Sequence, residues 1–157
     1  MKKPLGAPVV AISPRISLKT RKITGILYTA METVLVVESQ AITRCCWADA
    51  LRDRGYEVVE AENPSEASER ARLYAERLSA LVVEVRFSDA NAVTLVSEMK
   101  QLNPKLCVIT SSTLRSCDLP TDLQYDAFLE KPANAKQVLA ILDRLTRHGP
   151  QEYGCSN

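Results

Sequence analysis

Polar and charged side chains stand at the carboxyl ends of the strands that the sequence predicts. Glu38 and Ser39 follow the first strand, Glu84 lies at the third, Ser111–Thr113 follow the fourth, and Lys131 follows the fifth. In doubly wound folds, ligands bind at the edge of the sheet where these strand ends meet. The same residues could also be separate, solvated loop positions. Two carboxylates, a hydroxyl and an ammonium at one edge favour a binding site over that alternative.

The predicted strands are short runs rich in apolar and β-branched residues. The first and third are apolar throughout, which is typical of strands that are buried on both faces of a parallel sheet. The predicted strands are Thr33–Val37, Glu57–Ala61, Ala80–Val85, Cys107–Ser111 and Ala127–Leu129.

Helical patterns separate these strands. Apolar residues at three- and four-residue spacing predict a first helix over Gln40–Arg54, closed by Gly55, and a second that begins at the capping residue Asn63. Further helices are predicted around Ala92 and after Asn134. The inner face of the first helix is predicted to hold Ile42, Cys46, Trp47, Ala50 and Leu51.

The fourth crossover is shorter than the others. The segment Thr113–Tyr125 contains Pro120 and has room for only about two helical turns of ~3.6 residues each. Strands that alternate with helices, with no hairpin signal between them, imply right-handed crossovers. The sequence therefore predicts an α/β, doubly wound, five-stranded parallel sheet flanked by helices, with a shortened fourth helix.

Charge is unevenly distributed along the chain. Six of the 20 basic residues lie in residues 1–30, which have no acidic residue, so 14 basic and all 19 acidic residues remain in 31–157, a net charge of −5. A body with this charge has no overall attraction for nucleic acid. We expect 1–31 to be a basic, disordered arm, 32–147 to be the folded domain and 148–157 to be a C-terminal tail.

Composition also bears on location and partners. No apolar run approaches the ~20 residues of a membrane span, so we expect no membrane insertion. The cysteines lack both C-x-x-C and metal-ligand spacing, and we expect free thiols in a reducing cytoplasm. Packing is favoured over redox sensing for Cys45 and Cys46, because Cys46 falls on the predicted inner face. The cysteines are Cys45, Cys46, Cys107, Cys117 and Cys155.

Several motifs, in order along residues 32–147, resemble the receiver domains of bacterial response regulators. "VLVVES" resembles the first strand with its acidic pair, "LRDRGYEVVEA" the end of the first helix and the second strand, and "ALVVEVRFSDAN" the phosphoacceptor strand and loop. "PKLCVITSST" resembles the fourth strand with its switch hydroxyl, and "DAFLEKP" the fifth with its switch aromatic and Lys-Pro pair. The resemblance implies the flavodoxin-like receiver fold and a role in two-component, phosphorelay signal transduction.

In that family a phosphoryl group moves from a phosphohistidine to an aspartate, and an acidic pair holds Mg²⁺, which neutralises the transferring group. By motif position, the resemblance makes Glu84 the equivalent of the phosphoacceptor, and Glu38 with Ser39 the acidic pair. It also implies Ser112 as the switch hydroxyl, with Ser111 one position away, and Phe128 as the switch aromatic. It implies Lys131 as the phosphate-contact lysine. The implied metal ligands are Glu38, Glu84 and the backbone carbonyl of Arg86.

The departures from the family pattern argue against ordinary phosphotransfer. Glu84 is one methylene longer than aspartate, which displaces its carboxylate by ~1.5 Å, and such a misplacement can cost about a hundredfold in rate. Ser39 replaces a charged metal ligand with a neutral hydroxyl. Ser88-Asp89-Ala90 stands where the family usually has Pro-Gly chemistry. We therefore expect no required cofactor and at most weak Mg²⁺ binding.

Alternative functions remain open at this stage. The first is a degenerate pseudo-receiver that is not an enzyme and acts through protein–protein interaction, with Glu84 either imitating a phosphoaspartate or left by decay of the site. The second is a working phosphoacceptor that takes phosphate from a histidine kinase with Mg²⁺. An unrelated small α/β enzyme is disfavoured, because the single histidine, His148, follows the last helical pattern and Gly55 is the only glycine in 32–147.

Few residues follow the domain, so we expect it to act through a partner. The partner would be a histidine kinase, another signalling protein, or a second copy bound through the face of the fourth helix, fifth strand and fifth helix. We expect partner contacts at Thr113–Tyr125, at Phe128 and on the outer side of the last helix.

Overall fold

The computed structural model describes residues 19–23, 26–30, 32–86 and 89–148, with side chains described over 32–86 and 89–146. The strands are β1 (Lys19–Ile23), β2 (Ile26–Ala30), β3 (Thr33–Val37), β4 (Glu57–Ala61), β5 (Leu78–Glu84), β6 (Cys107–Ser112) and β7 (Ala127–Glu130). The helices are α1 (Ala41–Asp53), α2 (Pro64–Tyr74), α3 (Ala90–Leu102) and α4 (Ala135–His148), with a 3₁₀ turn at Ser116–Asp118.

Strands β3 to β7 form one parallel sheet in the order β4-β3-β5-β6-β7. Residues alternate between two cores along each inner strand, because successive side chains of a strand point to opposite faces. Val34 and Val36 pack on the face covered by α1 and α4, whereas Leu35 and Val37 pack on the face covered by α2 and α3. The predicted five-stranded, doubly wound α/β fold is confirmed, and burial on both faces explains the continuous apolar runs.

Local hydrogen bonds set where the helices begin and end. Asn63 Oδ1 accepts from the Glu66 amide at 2.9 Å at the start of α2, and Asp89 Oδ1 accepts from the Ala92 amide at 3.0 Å at the start of α3. Gly55 has φ 93°, the left-handed conformation that ends α1 and turns the chain into β4.

The inner face of α1 differs from the predicted one. Trp47, Ala48 and Leu51 are buried, whereas Ile42 is 83% exposed and Cys46 is exposed. Ile42 and Cys46 lie on the side of the helix next to the one that carries Trp47 and Leu51, and the sheet and α4 cover the side with the larger Trp47. The prediction that Cys46 packs in the core was therefore wrong.

The fourth crossover contains no α-helix in the described structure, a stronger reduction than the shortened helix that was predicted. A 3₁₀ turn at Ser116–Asp118 replaces it, and Leu119 and Leu123, each 7% exposed, fill the space beside α3 and β6. The Pro120 carbonyl accepts from the Leu123 amide at 3.1 Å. Because proline has no amide hydrogen, the segment folds as successive turns around these two leucines.

The predicted arm also differs from the structure where residues are described. Strands β1 and β2 pair in antiparallel register, with Arg21 opposite Tyr28, whereas we expected no secondary structure in 1–31. Residues 1–18, 24–25 and 31 of the arm, and residues 149–157 of the predicted tail, lie outside the described residues. Residues 26–30 carry an apolar and β-branched run like those of the predicted strands, but the prolines and basic residues of 1–30 favoured an arm without secondary structure.

We expect Leu123→Ala to lower the free energy of unfolding by about 2–3 kcal/mol, because it leaves a cavity under the turns that replace the fourth helix. Leu73→Ala is the matched control, since Leu73 is 80% exposed and its loss should cost less than about 0.5 kcal/mol. Urea unfolding followed by circular dichroism measures both. Equal, small effects would mean that residues 113–126 do not pack as described.

Candidate functional site

The carboxyl ends of β3, β5 and β7 bring three charged side chains together. Glu38 directly follows β3, Glu84 is the last residue of β5, and Lys131 directly follows β7. Lys131 Nζ lies 2.7 Å from Glu38 Oε2 and 2.6 Å from Glu84 Oε1. One ammonium therefore neutralises part of the charge of both carboxylates. These three residues were predicted to meet at this edge of the sheet.

Ser39 holds the other oxygen of the Glu84 carboxylate. Its hydroxyl donates to Glu84 Oε2 at 2.6 Å, and its backbone amide donates to the same oxygen at 3.1 Å. The longer glutamate side chain thus reaches across to the loop after β3. Each carboxylate oxygen of Glu84 has a strong donor, and the side chain is only 15% exposed.

Glu38 is fully buried, so its charge requires partners within the protein. Its Oε1 accepts from the backbone amide of Gln40 at 2.9 Å, and its Oε2 faces Lys131. Gln40 is the residue that caps the start of α1, and its own side chain makes no capping bond. The Glu38 carboxylate therefore also stabilises the first turn of α1, where negative charge is favourable.

These contacts determine the protonation of Glu84. Burial alone would raise its pKa, but the hydrogen bonds from Lys131 and from the Ser39 hydroxyl and amide outweigh that effect. Together they lower the pKa of Glu84 from 4.5 to about 2. Glu84 is therefore ionised at neutral pH, and its charge is part of what holds the site together.

The implied metal ligands do not fit a divalent cation well. They are Glu38, Glu84 and the Arg86 carbonyl. The carboxylates face a shared ammonium, and Ser39 offers a neutral hydroxyl that already donates to Glu84. The Arg86 guanidinium, 65% exposed, lies 3.5 Å from Glu84 Oε2. Over the described residues, no group of three or more His, Cys, Asp or Glu side chains is arranged to hold a metal ion.

The predicted switch hydroxyl, Ser112, is not part of this cluster. Its Oγ donates to the Val85 carbonyl at 2.6 Å and accepts from the Leu114 amide at 3.0 Å. Strand alternation places Ser112 on the α2/α3 face, whereas Ser111 shares the α1/α4 face with Glu84, its partner in register. The Ser111 hydroxyl is buried and has no hydrogen-bond partner among the described residues.

Phe128, the predicted switch aromatic, is also separate from the charged cluster. It is half-buried on β7 and packs against the α2/α3 core that includes Leu119 and Leu123. Ser112 and Phe128 therefore lie outside the charged cluster. The structure brings together four of the predicted residues, Glu38, Ser39, Glu84 and Lys131.

Sequence reasoning missed one residue that contacts the site from outside. Arg44, on α1, donates from its guanidinium to the backbone carbonyl of Glu38 at 2.6 Å. No motif indicated this contact, because an arginine on a helix surface is usually solvated.

The comparisons with known proteins agree with this fold. No family model matches the chain. The Brucella abortus sensor kinase CckA is 30% identical over 131 residues, which are 81% of this chain and 14% of that protein. A cyclic di-GMP phosphodiesterase from Thermotoga maritima is 29% identical over 105 residues, 65% of this chain and 27% of that protein. The crystal structure of the receiver domain of the hybrid histidine kinase CckA is 27% identical, with a TM-score of 0.59, over 71% of this chain and 96% of that chain.

Other solved response-regulator structures, 18% to 24% identical, align with TM-scores of 0.61 to 0.66 and support the fold alone. The chain therefore has the fold of the receiver domains of two-component signalling and is similar to them in sequence. It spans 14% and 27% of the length of the two curated relatives. None of the helices in the described part of the chain has both the length and the apolar character needed to cross a bilayer.

We expect Glu84→Gln to lower the free energy of unfolding at pH 7 by about 1–3 kcal/mol, between the cost of breaking a buried and an exposed ion pair. Because the pKa of Glu84 is lowered on folding, its stabilisation is complete above about pH 5 and is lost as the pH falls through about 2. The difference between wild type and variant should therefore shrink over that range.

Urea titrations of both proteins between pH 7 and pH 2 measure this difference. Arg115→Ala is the control, because its pair with Asp118 is exposed and screened by solvent, so its loss should leave the stability and its pH dependence nearly unchanged. A stability difference that stays constant with pH would show that the ionised form of Glu84 is not preferentially stabilised by folding.

Proposed function

We propose that this receiver-like domain is a protein-interaction module of two-component signalling. In this closed site, the ion pairs of Lys131 with Glu38 and Glu84 take the place of the contact between the lysine and a phosphoryl group. The observation that carries the proposal is the position of Lys131 Nζ, within 2.7 Å of oxygens from both Glu38 and Glu84. The lysine that would contact phosphate already has an anionic partner in the unmodified chain.

The length of the Glu84 side chain supports a phosphate-independent state. In the family that the chain resembles, a serine or threonine and a lysine contact the phosphoryl oxygens. Here the extra methylene of Glu84 extends its carboxylate to Lys131 on one side and to Ser39 on the other. On this proposal, the glutamate imitates a phosphoaspartate in charge, with Ser39 as a hydroxyl donor from a different strand end.

The donor set supports a site that needs no cofactor. A divalent cation would have to compete with the Lys131 ammonium for Glu38 and Glu84, and Ser39 contributes no charge to attract it. We infer that Mg²⁺ binds weakly and that the domain is not an enzyme. The net charge of −5 for residues 31–157 supports a protein partner over nucleic acid or an acidic membrane, and we propose a cytoplasmic location.

The partner on this proposal is a histidine kinase, another signalling protein or a second copy of the chain. The proposed contact surface comprises residues 113–125, Phe128 and the outer side of α4. Residues 113–118 are largely exposed around the 3₁₀ turn, and Tyr125 is 38% exposed. Chemical-shift changes confined to α1 and α2 on addition of a partner kinase would rule out this surface.

A working phosphoacceptor is the second candidate, and one observation favours it. An open cleft of about 330 Å³ beside the site is lined by Glu84 together with Arg86, Asp89 and Asn91, so a small phosphodonor could approach this carboxylate. Against it stand the donors of Lys131 and Ser39, which occupy both oxygens of Glu84. Plain decay of the site is the remaining alternative, and a Glu84→Gln variant with unchanged stability and binding would favour decay.

Incubation with acetyl phosphate and Mg²⁺ separates these candidates. We expect the wild type to stay unmodified by intact mass, since its acceptor is displaced and engaged by Lys131 and Ser39. Glu84→Asp alone should regain little phosphorylation, because Ser39 still lacks a metal-binding charge, and Ser39→Asp combined with Glu84→Asp should regain more.

The single variant Ser39→Asp is the matched control, because it adds the charge without shortening the acceptor. A phosphoryl adduct on the wild type that maps to Glu84 by peptide analysis would overturn the phosphate-independent proposal and leave the phosphoacceptor in its place.

A further inference from the structure

A second charged network lies behind the site, between α1 and the edge strand β4. The Arg44 side chain is 16% exposed, and its Nε lies 3.6 Å from Glu60 Oε2. Arg52, about two helical turns further along α1, donates to Glu60 Oε1 at 2.7 Å. Each carboxylate oxygen of Glu60 thus faces one arginine of α1.

Glu60 is held from the other side as well. Arg70 of α2 donates to the Glu60 backbone carbonyl and pairs with Glu66. Glu60 is therefore connected to both α1 and α2, and it lies on the strand at one edge of the sheet.

Among these arginines, Arg44 is the one that also reaches the site. Its Nη1 donates to the backbone carbonyl of Glu38 at 2.6 Å, in the loop that joins β3 to α1. The peptide unit of that carbonyl includes the Ser39 amide, which donates to Glu84 Oε2. Because a peptide unit is planar, the hydrogen bond that orients the Glu38 carbonyl also orients the Ser39 amide.

We propose that Arg44 is the positioning residue of this site and that it couples the geometry of Glu38, Ser39 and Lys131 to Glu60 on β4. Arginine suits this role because its planar guanidinium can donate in two directions at once, here to a carbonyl and towards a carboxylate. The inference deepens the proposed function, since it concerns how the same charged cluster is held closed.

The Glu60 end of this network is open to solvent. The Glu60 and Arg52 side chains are 24% and 45% exposed, whereas Glu38 is fully buried. A change in the pairing of Glu60 at the protein surface can therefore reach the Glu38 carbonyl through the Arg44 side chain, whereas the Glu38 amide is bonded separately to the Ala61 carbonyl at 3.1 Å. On this inference, a change in contacts at the β4 edge can weaken the ion pairs of Lys131 with Glu38 and Glu84.

Exchange of the Lys131 ammonium protons with water, measured by ¹⁵Nζ NMR, reports directly on whether this group is held. We expect slow exchange in the wild type relative to the exposed Lys136. Arg44→Met should accelerate the Lys131 exchange by about tenfold, because it removes a hydrogen bond from a charged donor. Glu60→Gln should also accelerate the Lys131 exchange but by a smaller factor, since the hydrogen bond from Arg44 to the Glu38 carbonyl remains.

Arg52→Met is the matched control. It removes the other α1 arginine from the same Glu60 carboxylate without touching Glu38, and it should change the exchange by less than about threefold. Arg44→Lys tests geometry at constant charge, and it should restore the slow exchange only in part, because a single ammonium replaces a two-directional donor.

Two outcomes would overturn the proposal: equal effects of Arg44→Met and Arg52→Met, or an unchanged Lys131 signal in Arg44→Met. Urea unfolding of each variant identifies a general loss of stability, and loss of structure in Arg44→Met without recovery in Arg44→Lys also counts against positioning. Failure of the proposed function is distinguishable, because it appears as wild-type phosphorylation by acetyl phosphate, whatever the exchange results.

Discussion

The structure of this domain depends on one ammonium group placed between two carboxylates. Glu38 has no solvent exposure, and a carboxylate in that position is strongly unfavourable unless an opposite charge and hydrogen bonds compensate for it. Lys131 supplies the charge, and the first turn of α1 supplies a backbone amide. The strands that carry these groups are far apart in sequence, so the charges meet only when the whole sheet has formed.

The same requirement extends to the polar groups around the site. Ser39 and Glu84 join the loops after β3 and β5, and Ser112 joins the end of β5 to the turn that follows β6. Most polar groups at this edge are thus bonded to each other, which makes burial of charge tolerable. The exceptions among the described residues include the Ser111 hydroxyl and Glu38 Oε2, which faces Lys131 as an ion pair but lacks hydrogen-bond geometry. A carboxylate with a pKa near 2 in the middle of such a network behaves as a permanent charge at physiological pH.

The sequence predicted the strands well and the packing details less well. Thr33–Val37 and Glu57–Ala61 agree with the structure at both ends, because their lengths are bounded by charged or turn-forming residues. The inner face of α1 could not be derived, since Ile42 and Trp47 mark two adjacent stripes and only the contacting sheet and α4 select one. The choice between Ser111 and Ser112 depended on register with β5, and the Arg44 contact on a side-chain conformation, neither of which a single sequence specifies.

The location of β7 at the edge of the sheet has a consequence for the lifetime of the closed site. This strand has four residues, pairs with one neighbour, and is joined to β6 by turns rather than by a helix. Edge strands with few backbone bonds belong to the parts of a protein that open by local unfolding before the rest. Since Lys131 directly follows β7, a local opening of this strand would separate the ammonium from both carboxylates, which ties the persistence of the charge cluster to the local stability of one short strand.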